Sequence, residues 1–366
     1  MKRGWSVLVC HRLIAASLFR RWVARGPNPE PGPAQCRPWP PVAIRPWRAA
    51  MLALAVTMAI AALPPRAVGA TIEDKRIAIT IDDLPFASAT PMSVMEASRL
   101  NDSLLRALRR HEAPAIGFVN EDRLLVAGQI DRGAAILEAW LDAGMALGNH
   151  NFGHVGLWDT SVEQVQAAVL KGEVITRWLT TQRGVPLRYY RPPFTQTGRN
   201  EADREAFERF LQAHGYTLAP FTVDHDDYWF ACVYDHLDGT EAAADRQVVE
   251  DDYDAHLRRS IGVFESMSAQ LFGRQIPQIL LIHANRLNAD TLDRSLSTLR
   301  AMGYRFITLD EAVKDQAYQR PVAASGKFGP SWLARWARFE GVKLSVYGQP
   351  DPDGPTVALH RRHCGS

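Results

Sequence analysis

Ionisable residues gather in five short stretches of this 366-residue chain: "TIDD" (80–83), "HNFGH" (150–154), "RPPF" (191–194), "DHDDYW" (224–229) and "LLIH" (280–283). Two neutral imidazoles and one carboxylate form a three-ligand metal site that leaves coordination positions open, as in catalytic zinc centres. His150 and His154 supply the imidazoles, and the Asp82–Asp83 pair supplies the carboxylate. Neighbours on an extended chain point opposite ways, but at a strand end they can diverge. One aspartate then binds metal while the other stays free as a base for the attacking water. Arg191 can hold that base ionised by a bidentate contact. His283 can protonate a leaving group if an acid keeps it charged. Asp224, Asp226 and Asp227 are the candidates for that acid, and Asp224 is the choice here.

The elements that must position these groups alternate along the chain. Short apolar, β-branched runs at 76–81, 115–119, 145–149, 187–191, 216–223, 278–283 and 304–309 are separated by stretches of helical period. Helices are expected at 93–111, around 131–143 and 161–181, at 201–215, around 243–272, at 288–303 and after 309. Seven βα alternations signal parallel units. The expected fold is α/β: a distorted seven- or eight-stranded (β/α) barrel forming a single catalytic domain, with the polar groups at the C-terminal strand ends where barrel enzymes place their chemistry. The catalytic domain is expected over 71–318. Beyond it, 319–366 turns Gly- and Pro-rich and reads as a C-terminal appendage, partly disordered and packed by Trp332 and Trp336.

Charge is unevenly spread. The chain has 42 Lys and Arg against 40 Asp and Glu; ten basic residues and one acid, Glu30, fall in 1–70, leaving 32 basic and 39 acidic residues, a net of −7, in 71–366. That balance argues against binding a phosphate backbone, so no nucleic-acid partner is expected. The uncharged run 51–63 is too short to span a bilayer and suits the apolar region of a signal peptide, with Val68-Gly69-Ala70 as its cleavage pattern. Residues 1–70 are therefore expected to be an extension plus signal peptide, with translation starting internally near Val42. The mature chain is expected to be exported, periplasmic or extracellular, with no stable membrane span. Cys232 and Cys364 fall in the mature part, where an exported chain allows one disulfide, but Cys232 in "WFACV" reads as a small packed hydrophobe.

The five motifs and their order resemble the polysaccharide deacetylase superfamily of metal-dependent carbohydrate esterases with the NodB-like homology domain. "TIDD" is similar to the family's T-F-D-D, which implies Asp82 as general base and Asp83 as metal ligand. "HNFGH" resembles H-S/T-x-x-H, implying His150 and His154 as the other ligands, with Asn151 steadying the loop. "RPPF" resembles R-x-P-Y/F, implying Arg191 as partner of the base and the Phe194 backbone N–H as an oxyanion donor. "LLIH" resembles L-x-H, implying His283 as general acid. "DHDDYW" resembles D-x-x-D-W but carries one extra residue before Trp229, which is expected to wall the substrate pocket.

The resemblance implies removal of N- or O-acetyl groups from an acetylated glycan with a divalent cation, Zn2+ first and Co2+, Ni2+ or Fe2+ as alternatives. Other readings are metal-dependent hydrolysis of a non-sugar linear amide, or a catalytically silent glycan-binding surface protein. Nothing in the sequence bears on oligomeric state.

Overall fold

The computed structural model describes residues 74–237, 242–346 and 348–365. The extension, the apolar run and the cleavage pattern expected in 1–70 lie outside the described residues. All described residues belong to one compact unit.

Every strand pairing is parallel. The strands are β1 (Arg76–Leu84), β2 (Ala115–Val119), β3 (Ala146–Asn149), β4 (Tyr189–Tyr190), β5 (Thr217–Leu218), β6 (Gln278–His283) and β7 (Arg305–Ile307). Their order is β5-β4-β3-β2-β1-β6. Beyond β5 the chain curls back towards β6, where Val223 bridges Leu280. There Leu281 N donates to Val223 O at 3.0 Å. β7 pairs with the first three residues of β1, before β2 joins that strand from Ile79 onward. The result, among the described residues, is a curled parallel barrel of seven strands, distorted where β4 and β5 shrink to two residues each. β1 is buried along its length after Arg76, as a central parallel strand covered on both faces must be.

The helices are α1 (Val94–Arg110), α2 (Ile130–Asp142), α3 (Val162–Lys171), α4 (Val174–Gln182), α5 (Glu201–Ala213), α6 (Asp227–Asp235), α7 (Ala243–Phe272), α8 (Arg286–Ala301), α9 (Leu309–Ala312), α10 (Trp332–Glu340) and α11 (Thr356–His363). The single helix expected around 161–181 is two, α3 and α4, separated at Gly172. A Cβ on Gly172 would lie 2.6 Å from both Asn151 C and Phe152 N. The break therefore lets the backbone press against the loop after β3, and Phe152 N donates to Ala168 O across the contact at 3.0 Å.

The stretch from 319 onward, set apart in the sequence, contributes α10 and α11. Trp332, Leu333 and Trp336 of α10 sit in the same core cluster as β1 and β6. α11 is tied to α6 by a disulfide between Cys232 and Cys364, 132 residues apart. Cys232 is thus a cross-linked residue and not the small hydrophobe its neighbours suggested. The pairing depends on the tail returning to α6, which no local spacing records. No helix among the described residues is long and apolar enough to cross a membrane.

Candidate active site

Adjacent aspartates on a regular strand would diverge by half a turn and leave one of them in the core. β1 avoids this with a register shift between Ile81 and Leu84 and a left-handed Asp83 at φ 67°. A bulge of this kind re-aims a side chain, so both carboxylates reach the cleft at the strand ends. Across from them the loop after β3 carries left-handed turns at Asn151, Gly153 and His154. Asn151 holds the loop closed: its Nδ2 donates to Val155 O at 2.8 Å and its Oδ1 accepts from Val155 N at 3.1 Å. The amide thus does the steadying expected of it, and both histidines stand on loop rather than helix.

These turns bring three donors together. His150 Nε2 and His154 Nε2 lie 3.6 and 3.5 Å from Asp83 Oδ1, and the three ligand atoms fall within 4.8 Å of one another. His150 Nδ1 donates to Arg191 O at 2.7 Å, which leaves Nε2 as the free lone pair. Burial pushes both imidazoles down to about 4, so they are neutral near pH 7. Burial opposes charge on Asp83, but the two histidines and the Arg123 guanidinium, 3.6 Å away, outweigh it and hold the carboxyl below the usual range. Two neutral nitrogens and an ionised oxygen are the donor chemistry a borderline divalent cation takes.

Asp82 is differently placed. It is 2% exposed, and burial raises its pKa while the Arg191 charge works against that rise. Arg191 Nη1 lies 3.4 Å from Asp82 Oδ2, whereas Asp82 Oδ1 is buried with no hydrogen-bond partner in the structure. A buried unpaired carboxylate oxygen is costly unless something else meets it. Arg191, with no exposed surface, also braces the barrel. Its Nε donates to Ala219 O, its Nη2 to Pro220 O and Thr80 Oγ1, each at 3.1 Å. Phe118 and Phe221 flank the guanidinium.

The acid facing His283 is Asp227, not Asp224. His283 Nδ1 donates to Asp227 Oδ1 at 2.8 Å, and the His283 N–H donates to Asp227 Oδ2 at 2.8 Å. The reason lies in the extra residue of "DHDDYW". Asp226 takes a left-handed turn at φ 53°, Asp224 folds back to accept from Asp226 N at 3.0 Å, and Asp227 opens α6 pointing at β6. Burial would depress His283, but the Asp227 carboxylate and its hydrogen bond reverse that and carry it up to about 10. Asp227 is held below its ordinary value by the same pair, against its own burial. Burial and the neighbouring Asp226 charge push Asp224 up to about 7.

Asp224 lines the cleft but holds neither the histidine nor the metal ligands. Trp229 does not wall the cleft either: it stacks on His360 at 4.1 Å beneath α11, and Tyr228 lines the cleft in its stead. His225 is buried, its Nε2 2.9 Å from Tyr253 Oη. Phe194, at φ 54°, sets its ring edge-on to His154 with centroids 4.6 Å apart.

Sequence reasoning missed the groups behind these residues. Asn120 Nδ2 donates to Asp83 Oδ1 at 3.3 Å. Asn285 Nδ2 and Asn288 Nδ2 donate to Asp227 Oδ2 at 2.9 and 2.6 Å. The only signal available was position, since Asn120 directly follows β2, and Asn285 and Asn288 cap and open the helix after His283. The cleft over all these groups measures about 890 Å³.

A parallel barrel thus carries a His₂Asp donor set beside an Arg-braced aspartate. Residues 69–219 match the family model described as polysaccharide deacetylase. It is similar to the peptidoglycan-N-acetylglucosamine deacetylase PgdA of Listeria monocytogenes, with 23% identity over 65% of this chain and 39% of that protein. The chain thus spans well under half the length of the curated relatives it matches. Among solved structures it is similar to the peptidoglycan deacetylase PdaC of Bacillus subtilis (19% identity, 68% of this chain, 96% of that one, TM-score 0.41). It is also similar to a family 4 carbohydrate esterase pseudoenzyme of Bacillus anthracis (16% identity, 66% of each chain, TM-score 0.43).

Proposed function

We propose that this chain is an exported, metal-dependent hydrolase that removes the acetyl group from N-acetylated sugar units of a glycan. The observation that carries the reading is Asp82: a buried carboxylate with one oxygen toward Arg191 and the other unpaired, next to an intact His₂Asp donor set. A silent surface protein would have no use for that costly arrangement. The name of the Listeria relative, whose substrate carries N-acetylglucosamine, supports a sugar amide as the target. The disulfide fits an oxidising compartment.

Asp83, His150 and His154 would hold the cation, Zn2+ by donor type, with Co2+, Ni2+ or Fe2+ compatible. Such a cation supplies Lewis acidity toward a carbonyl oxygen and lowers the pKa of water. The chain's own residues do the rest. Asp82 takes the proton from the attacking water, and Arg191 keeps its carboxylate oriented between turnovers. The Phe194 N–H donates to the oxyanion as the carbonyl becomes tetrahedral. His283, charged through Asp227, gives its proton to the departing amine. Asp224 orders the turn that presents Asp227.

Acetate release from N-acetylglucosamine oligomers, peptidoglycan and acetylated xylan, compared with small linear amides, tests the reading. Release from the sugar amides is expected. Turnover of the small amides alone would place the enzyme on a non-sugar substrate.

A further inference from the structure

The cleft is larger than an acetyl group needs and stands near the upper end of the range for pockets that enclose whole small molecules. Part of its wall, Lys327–Ser331, lies beyond residues 69–219 that match the family. That wall is fastened to the loop after β4. Thr195 Oγ1 donates to Gly329 O at 2.6 Å, Gln196 Nε2 to Lys327 O at 2.8 Å, and Thr197 N to Ser325 Oγ at 2.8 Å. Arg335, fully buried in α10, donates to Thr197 Oγ1 at 2.6 Å from below. A Cβ on Gly329 would meet Thr195 Oγ1 at 1.8 Å and Phe194 O at 2.6 Å, so the two loops approach as closely as glycine permits.

On this held loop Phe328 is 78% exposed, and Tyr228, in the same cleft, is 56% exposed. Large apolar rings left open beside polar catalytic groups mark a ligand surface. Both faces of an aromatic ring suit the C–H face of a pyranose, whose hydroxyls point outward to water. We propose that Phe328, with Tyr228, is a stacking platform for a sugar ring flanking the one that is deacetylated, so that the site selects oligomers over single sugars. The proposal rests on the glycan substrate reading above.

The test is calorimetric titration of the zinc-loaded Asp82→Asn chain, in which the probe stays intact, with the β-1,4-linked tetramer of N-acetylglucosamine and with the monomer. The tetramer should bind at least tenfold tighter than the monomer. Adding Phe328→Ala should weaken the tetramer about tenfold, the factor that 1.4 kcal/mol represents and within the worth of an aromatic contact. Phe328→Trp should restore it. Trp178→Ala, an exposed aromatic on α4 outside the cleft lining, should change nothing. Equal tetramer binding with and without the Phe328 ring, or no tetramer binding by the Asp82→Asn parent, overturns the platform. Tetramer binding that needs Phe328, in a wild-type chain that releases no acetate, sinks the deacetylase reading and leaves the platform standing.

Discussion

Replacing Asp227 by Asn keeps the volume and removes one charge, and the structure fixes what must follow. Asp227 has no exposed surface, and its carboxylate is what lifts His283 from 6.5 to about 10 against the burial that would lower it. Without that charge only the Asp82 and Asp83 carboxylates oppose burial, and the imidazole loses its proton at lower pH than in the wild type. An Asn oxygen can still accept from Asn285 and Asn288, but its NH2 then faces His283 Nδ1 and cannot accept the Nδ1 proton of the charged ring. A general acid contributes about 10² to 10⁴ in rate, so kcat at pH 8 should fall by roughly a hundredfold. The alkaline limb of the kcat profile, near 10 in the wild type, should move to lower pH, and acidification should recover part of the loss. The assay is acetate release from pH 5 to 10.5 in both proteins. A variant whose alkaline limb stays in place would refute His283 as the acid. The same pair sets a stability window. His283 is raised, so its contribution is present below 6.5 and lost as pH rises through about 10. Asp227 is lowered, so its contribution is present above its ordinary value and lost as pH falls through the depressed one.

His150→Ala should lose both metal and turnover, measured as bound zinc per chain after dialysis. Arg191→Lys should cost several kcal/mol of stability in chemical denaturation, because four polar contacts to a buried guanidinium are broken or bent. Cys232→Ser with Cys364→Ser should lower stability by about 2–4 kcal/mol, as expected for opening a long cross-linked loop; an unchanged melt would mean that α11 is held by packing alone. Activity should also fall as pH drops through the raised pKa of Asp82, and that acidic limb should lie above the ordinary carboxylate range.

Much of this site is legible in the sequence. The strand runs are apolar and β-branched, and all seven appear where the sequence places them, although β4 and β5 keep only two paired residues. Asp82 and Asp83 lie at the end of β1, and His150 and His154 on the loop that leaves β3, so the strand pattern places all four at one end of the barrel. What escaped was non-local or depended on one torsion. The left-handed Asp226 decides which aspartate meets His283, and nothing in the identity of Asp marks it. α6 is short and rich in aromatic residues, so it showed no helical stripe. Gly172 ends α3 for a contact with Asn151 and Phe152, twenty residues back, and the Cys232–Cys364 link spans the whole second half of the barrel.

The most direct measurement pairs metal content with acetate release on one substrate, the N-acetylglucosamine tetramer, for wild type and Asp82→Asn. Wild type should release acetate with one zinc bound, stop when chelated and recover when zinc is returned, while Asp82→Asn should hold its zinc and release almost none. Acetate release that survives chelation, or an Asp82→Asn chain as active as wild type, would contradict the reading of this site.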